Sequence, residues 1–187
     1  MKNRAAAIYL PVIFFLVGIP LHSQDKKLFT SMPSSHTGIN FINKIYEDQN
    51  LNFYKYTYLY NGGGVAIGDI NNDGLNDIYF SASTGYNRLY LNLGNLRFRD
   101  ITESAGVSGE QGVKSGVNMI DINNDGWLDI VASRAGPYDP QYRKKLLYIN
   151  NGNLTFSNRA KEMGLDDASY TTQTYFLDFD MDGDMDA

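Results

Sequence analysis

Three stretches of this chain place oxygen-bearing side chains at alternating positions around a glycine. They read Asp69-Ile-Asn71-Asn-Asp73-Gly74-Leu75-Asn-Asp77, Asp121-Ile-Asn123-Asn-Asp125-Gly126-Trp127-Leu-Asp129 and Asp178-Phe-Asp180-Met-Asp182-Gly183-Asp184-Met-Asp186, and they begin 52 and 57 residues apart. Positions 1, 3, 5 and 9 are Asp or Asn in every copy and position 6 is always Gly. Alternating oxygens converge on one point when the backbone coils tightly, and glycine permits the positive φ that such coiling requires. A cage of carboxylate, amide and carbonyl oxygens suits calcium, which takes six to eight oxygen ligands in irregular geometry; magnesium prefers strict octahedra and retained water. Position 7 is Leu75, Trp127 and Asp184, so a ligand shared by all three copies there is the backbone carbonyl. An EF-hand opens in the same way but needs an acid at position 12 and flanking helices. Position 12 is Phe80 and then Ala132, so position 9 must close the cage. Such clusters also make good turns on their own, but a turn needs two or three of these residues, not four oxygens and a glycine three times over. Eleven of the 21 acidic residues fall within these 27 loop residues, which would repel one another unless neutralised.

The loops need elements to hold them. Gly64-Val65-Ala66-Ile67 and Ile78-Tyr79-Phe80, short and rich in β-branched or aromatic residues, read as strands entering and leaving the first loop. Ile at positions 2 and 10 (Ile70 and Ile78, Ile122 and Ile130) would pin the loops to a core. A second repeated unit follows at an offset of 58: Leu89-Tyr90-Leu91-Asn92-Leu93-Gly94-Asn95-Leu96-Arg97-Phe98 against Leu147-Tyr148-Ile149-Asn150-Asn151-Gly152-Asn153-Leu154-Thr155-Phe156. It reads as a third strand, a turn over Asn92–Asn95 and a fourth strand over Leu96–Phe98. Thr102 to Gly106 and Asn158 to Gly164 read as single helical turns between units. The later copy is lengthened around Pro137 to Gln141, as repeat arrays allow. A repeat of this length with four short strands has the size of a propeller blade. The expected fold is all-β, a partial β-propeller of about two four-stranded blades plus the start of a third, following a signal peptide. Its organisation is residues 1–23 signal peptide, 24–60 a lead-in with an edge strand, 61–110 and 111–168 two repeats, and 169–187 a truncated third.

The signal peptide is read from Lys2 and Arg4, an apolar run of about 14 residues that includes Pro11, and Ser23 near a cleavage point. The run is shorter than the roughly 20 residues of a spanning helix, so a product released outside the cytoplasm or into the cell envelope is expected, with no membrane insertion after cleavage. The chain has 187 residues, no cysteine, two histidines and a net charge of −5. That balance disfavours nucleic acid, and the missing thiols exclude disulfides, thiolate metal sites and cysteine nucleophiles. No serine nucleophile elbow is present, and His36 reads as a loop residue, so no catalytic residue is assigned. A hydrolase relying on paired carboxylates is a remote alternative, since most Asp are committed to the loops. The alternating Phe53-Tyr54-Lys-Tyr56-Thr-Tyr58-Leu-Tyr60 reads as a half-buried strand. The insertion from Arg134 to Lys145, with Tyr138 and Tyr142, is a contact candidate.

The motif Asp-x-Asp/Asn-x-Asp-Gly-x-x-Asp between strands resembles the FG-GAP or VCBS-type repeats of integrin alpha-chain propellers and of many exported bacterial proteins. Tyr60 to Asp69, Leu89-Tyr90-Leu91-Asn92, Phe98 to Thr102 and the preceding Thr37 to Phe41 resemble more narrowly the bacterial relatives of cartilage acidic protein, which often carry a C-terminal ASPIC/UnbV region. The Phe-Gly pair of the family's name is Gly63-Gly64 here. The resemblance implies a closed ring of blades in the parent, structural calcium in the loops, and extracellular protein binding or adhesion. An accessory carbohydrate-binding propeller is the alternative it leaves open. The chain stops at Ala187, before an outgoing strand follows the third loop, so an N-terminal fragment is expected, with a third site less well supported than the first two.

Overall fold

In a computed structural model, residues 27–109 and 111–187 are described. The expected signal peptide lies outside them. Met32–Ala187 form one compact unit; of the other, residues 27–31 are described and are irregular.

Two four-stranded antiparallel sheets make up the fold. The first consists of β1 (Val65–Gly68), β2 (Asp77–Phe80), β3 (Arg88–Asn92) and β4 (Phe98–Asp100), and the second of β5 (Val113–Ile120), β6 (Asp129–Ala135), β7 (Leu146–Asn150) and β8 (Phe156–Asn158). Each is a meander in chain order, the topology of a propeller blade. Equivalent registers recur: Ile78 faces Tyr90 in the first blade and Ile130 faces Tyr148 in the second. The fold is all-β, a partial propeller of two blades. The third segment follows the second blade with an isolated bridge between Leu177 and Asp186 that closes its loop.

The blades meet over one apolar core. Ala66, Ile70, Tyr79, Leu89, Leu91 and Val107 from the first pack against Val117, Ile130, Ala132, Leu146, Tyr148 and Phe156 from the second. A smaller cluster, Val131, Leu147 and Ala160, carries Phe176 of the third segment. Near their inner edges the backbones almost touch. A Cβ on Gly64 would lie 2.7 Å from the Ser115 carbonyl oxygen and 2.8 Å from the Val117 nitrogen, and one on Gly116 would lie 2.8 Å from the Thr172 carbonyl oxygen. Glycine at these equivalent places lets adjacent repeats close on one another.

Two local expectations are corrected. Leu96 does not begin a strand: Asn95 and Leu96 have φ of 54° and 57°, and the turn closes through Leu93 N–H to Arg97 O and Arg97 N–H to Gly94 O, so β4 starts at Phe98. The lead-in forms no strand among its described residues. Its Tyr-rich stretch turns, with Tyr56 N–H bonded to Asn52 O, and enters a short 3-10 helix, Thr57–Tyr60. The alternation fails because Leu59 is the buried member, packed with Leu51 and Val113, while Tyr54, Tyr58 and Tyr60 face solvent. Thr102–Ala105 is a helical turn ended by Gly106 at φ 75°. The second connection makes a turn through Met163 N–H to Arg159 O and Leu165 N–H to Ala160 O.

The upstream part of the lead-in lies across the side of the first blade that faces away from the second. Phe41 stacks on Phe80 with ring centroids 4.8 Å apart, the Asn40 N–H bonds the Tyr90 hydroxyl, and Asn43 exchanges hydrogen bonds with Ser83 through both ends of its amide. In the second blade the equivalent positions, Ala132 and Tyr148, are covered by the first blade.

Candidate metal centre

Each loop is built on one hydrogen-bond scheme. At position 1, Asp69 accepts from the Asp73 N–H (3.1 Å) and the Gly74 N–H (2.7 Å). Asp121 does the same with Asp125 (3.0 Å) and Gly126 (2.8 Å), and Asp178 with Asp182 and Gly183 (both 3.1 Å). At position 5, the carboxylates of Asp73, Asp125 and Asp182 accept from the N–H of Leu75, Trp127 and Asp184. These N–H groups wind the loop around its acidic side chains. Gly74, Gly126 and Gly183 have φ of 85°, 88° and 96°, as the sequence requires of position 6.

Position 9 ties the loop to its blade. Asp77 and Asp129 are fully buried. Each takes one N–H from position 2, Ile70 (3.0 Å) or Ile122 (3.1 Å), and one from the end of the third strand, Asn92 or Asn150 (2.7 Å each). Asp186 takes the Phe179 N–H at 2.8 Å. Burial pushes the Asp77 carboxyl above its ordinary value and that of Asp129 up to about 6, against the N–H donors and with the neighbouring loop carboxylates adding to the rise. At Asp69 burial also pushes upward, but the N–H groups of Gly74, Asp73, Asn71 and Asn72 together carry its carboxyl below the ordinary value. In the third loop the charge of Asp182 pushes Asp184 up.

At position 3, Asn71 and Asn123 donate through Nδ2 to the carboxylates of Asp73 and Asp125, both at 2.9 Å. That leaves the amide oxygen of Asn71 turned the other way, buried and without a hydrogen-bond partner. In the third loop, one carboxylate oxygen each from Asp178, Asp180 and Asp186 come within 4.8 Å of one another. An orphaned amide oxygen in one loop and three converging carboxylates in another are what an oxygen-liganded divalent cation would satisfy. The donor set fits calcium: hard oxygens only, with second lone pairs free on carboxylates whose first are engaged by N–H groups.

Two kinds of residue in this framework fall outside the odd-numbered pattern. Asn92 and Asn150 cap the third strands, donate their backbone N–H to position 9 and accept the Gly94 and Gly152 N–H at 2.9 Å. The repeat of Leu-Tyr-Leu/Ile-Asn at an offset of 58 was their signal. Asn72 and Asn124, at position 4, both sit at φ 57°, and Asn is one of the few residues other than glycine at home there.

Residues 69–132 match the family of FG-GAP-like repeats, from the first acidic position of loop 1 into β6. The chain is 34% identical over 125 residues to cartilage acidic protein 1 of Xenopus tropicalis, covering 67% of this chain and 18% of that protein. It is 35% identical over 106 residues to the mouse protein of the same name, covering 57% and 16%. The human protein is 34% identical over the same length, covering 57% of this chain and 15% of its own. The aligned part thus spans less than a fifth of the curated relatives it matches.

Proposed function

We propose that this chain, an FG-GAP-like repeat protein related to cartilage acidic protein 1, holds calcium in its acidic loops as a structural cross-link and serves, outside the cytoplasm, as a surface for protein binding or adhesion. The observation that carries the calcium reading is the buried, unpartnered Asn71 amide oxygen inside a loop whose hydrogen-bond scheme recurs twice more. The residues that would hold the ion are those at positions 1, 3, 5 and 9 and the carbonyl at position 7, here Asp69, Asn71, Asp73, Leu75 and Asp77 and their equivalents. Bound calcium would supply positive charge to carboxylates that otherwise repel. The chain's own residues do the rest: Asp77 and Asp129 anchor the loops to the blades, and the N–H groups hold the carboxylates in place. The role is non-catalytic on this reading, for eleven of the 21 acidic residues are committed to the loops and His36 bonds the Asn95 carbonyl at 3.1 Å.

An exported repeat protein is consistent with the N-terminal sequence, and no helix among the described residues is long and apolar enough to cross a membrane. Calorimetric titration with calcium tests the metal reading: saturable binding is expected, with one site lost in Asp73→Ala, and no heat from a folded chain would overturn it.

A second reading, carbohydrate binding, is favoured by one feature. Tyr54 is 94% exposed and Tyr58 60%, and Tyr56, Tyr58 and Tyr170 border an open concavity of about 440 Å³ with Lys55, Thr57 and Thr172. Aromatic faces rimmed by hydroxyls suit the apolar face of a sugar ring. A glycan that binds the chain and is lost in Tyr170→Ala would favour this reading over protein adhesion.

A further inference from the structure

The acidic loops are joined to one another. The side-chain amide of Asn72, at position 4 of the first loop, donates to the carbonyl of Gly126, at position 6 of the second, at 3.1 Å. Asn124, at position 4 of the second, donates to the carbonyl of Gly183, at position 6 of the third, also at 3.1 Å. The donors share a left-handed φ of 57°, and the acceptors are equivalent glycines. The contact is therefore part of the repeat. It is absent from the alternating pattern because position 4 is not a ligand position.

We propose that Asn72 and Asn124 are positioning residues that couple cation binding in successive loops, a proposal that rests on the calcium reading above. Asn72 stands between Asn71 and Asp73, two ligand positions, so a cation that orders those residues also fixes the direction of the Asn72 amide. Its acceptor belongs to the peptide joining Gly126 to Trp127. The N–H of that peptide bonds the Asp125 carboxylate at 2.9 Å, and the next carbonyl along the chain is the position-7 ligand of the second loop. One hydrogen bond thus acts on two ligand positions of the neighbouring site. Asn124 reaches the Gly183–Asp184 peptide, whose N–H bonds Asp182 at 3.1 Å. Asn150 makes a second tie, from its amide to the Ile70 and Leu128 carbonyls, but at positions 2 and 8, outside the ligand set. Because the ordered amide holds the neighbouring loop in its ligating shape, the coupling is positive, and linkage makes it reciprocal. At position 4 the third loop has Met181, which keeps the left-handed backbone (φ 62°) but offers no amide donor.

The chain carries its own reporter, since its single tryptophan, Trp127, is position 7 of the second loop. Terbium luminescence sensitised by Trp127, excited selectively over the tyrosines and displaced by calcium, weights that loop most strongly, while calorimetry reads all sites. Asn72→Gly removes the donor and accepts the left-handed backbone. It is expected to weaken calcium at the second loop by about two- to tenfold, the effect of one hydrogen bond, although residue 72 belongs to the first. Asp73→Ala, which disables the first loop, is expected to weaken the second in the parent chain and to do so by a smaller factor in the Asn72→Gly background. An unchanged second-loop midpoint in Asn72→Gly, or equal effects of Asp73→Ala in both backgrounds, overturns the coupling while leaving calcium binding intact. A folded parent chain that neither sensitises terbium nor takes up calcium overturns the calcium reading and the coupling with it.

Discussion

Asp129 accepts two backbone N–H groups that favour its ionised form, yet burial, with the charges of Asp125 and Asp121 adding to it, holds its carboxyl up to about 6, against an ordinary value of 3.8. A raised folded value means that, without a cation, the folded chain binds more protons than the unfolded chain between about pH 4 and pH 6. The contribution of Asp129 to stability is therefore present at the low end of that window and is lost as pH rises through it. Calcium needs the ionised carboxylate, so below about pH 6 a proton competes with it. Calcium affinity at the second loop, followed through Trp127, is expected to fall as pH is lowered from 7 to 5. A pH-independent midpoint would place Asp129 outside the coordination sphere, as an anchor only. Residue chemistry was the most legible level in the sequence, because oxygen ligands at odd positions with glycine at 6 need no tertiary information. Asn72 and Asn124 were not legible, since their partners lie 54 and 59 residues away, in the next loop.

At the scale of elements, the four-stranded meanders were legible through β-branched and aromatic runs bounded by loops, and the offset of 58 marked the paired hairpins. The turn over Asn95 and Leu96 was not, because a leucine at φ 57° is paid for by the hairpin's closure and has no sequence signature. Close approach between blades gives the sharpest test at this scale. A methyl group on Gly64 would meet the Ser115 carbonyl, the Val117 nitrogen and the Val117 side chain, all within 2.9 Å, and two of these are backbone atoms that cannot swing aside. Gly64→Ala is expected to lower stability by about 1–3 kcal/mol, the range for overpacking, in chemical denaturation. Gly74→Ala, by contrast, would meet no neighbouring atom, and its cost would come from φ of 85° alone.

For the whole molecule, the apolar core is shared between blades, so neither sheet buries its faces by itself. The lead-in takes the place on the first blade that the first blade takes on the second, with Phe41 on Phe80 where a neighbouring blade would otherwise pack. Its period-two aromatics from Phe53 to Tyr60 read as a strand, and nothing in the segment upstream of them repeats to mark it as a cover. Deleting residues 32–48 is expected to bare Phe80 and Tyr90 and shift the chain toward self-association in size-exclusion chromatography; a deletion variant that stays monomeric and equally stable would show that the cover is dispensable. Calcium in the acidic loops is proposed to hold this arrangement together, and thermal unfolding of the chain in saturating calcium and in chelator would show whether it does. A cation that binds the folded form at 100 times its dissociation constant adds about 2.7 kcal/mol per site, so a large rise in the unfolding midpoint, reversed by chelator and reduced in Asp73→Ala, is expected. The same midpoint in calcium and in chelator, for a chain that unfolds cooperatively in both, would contradict it.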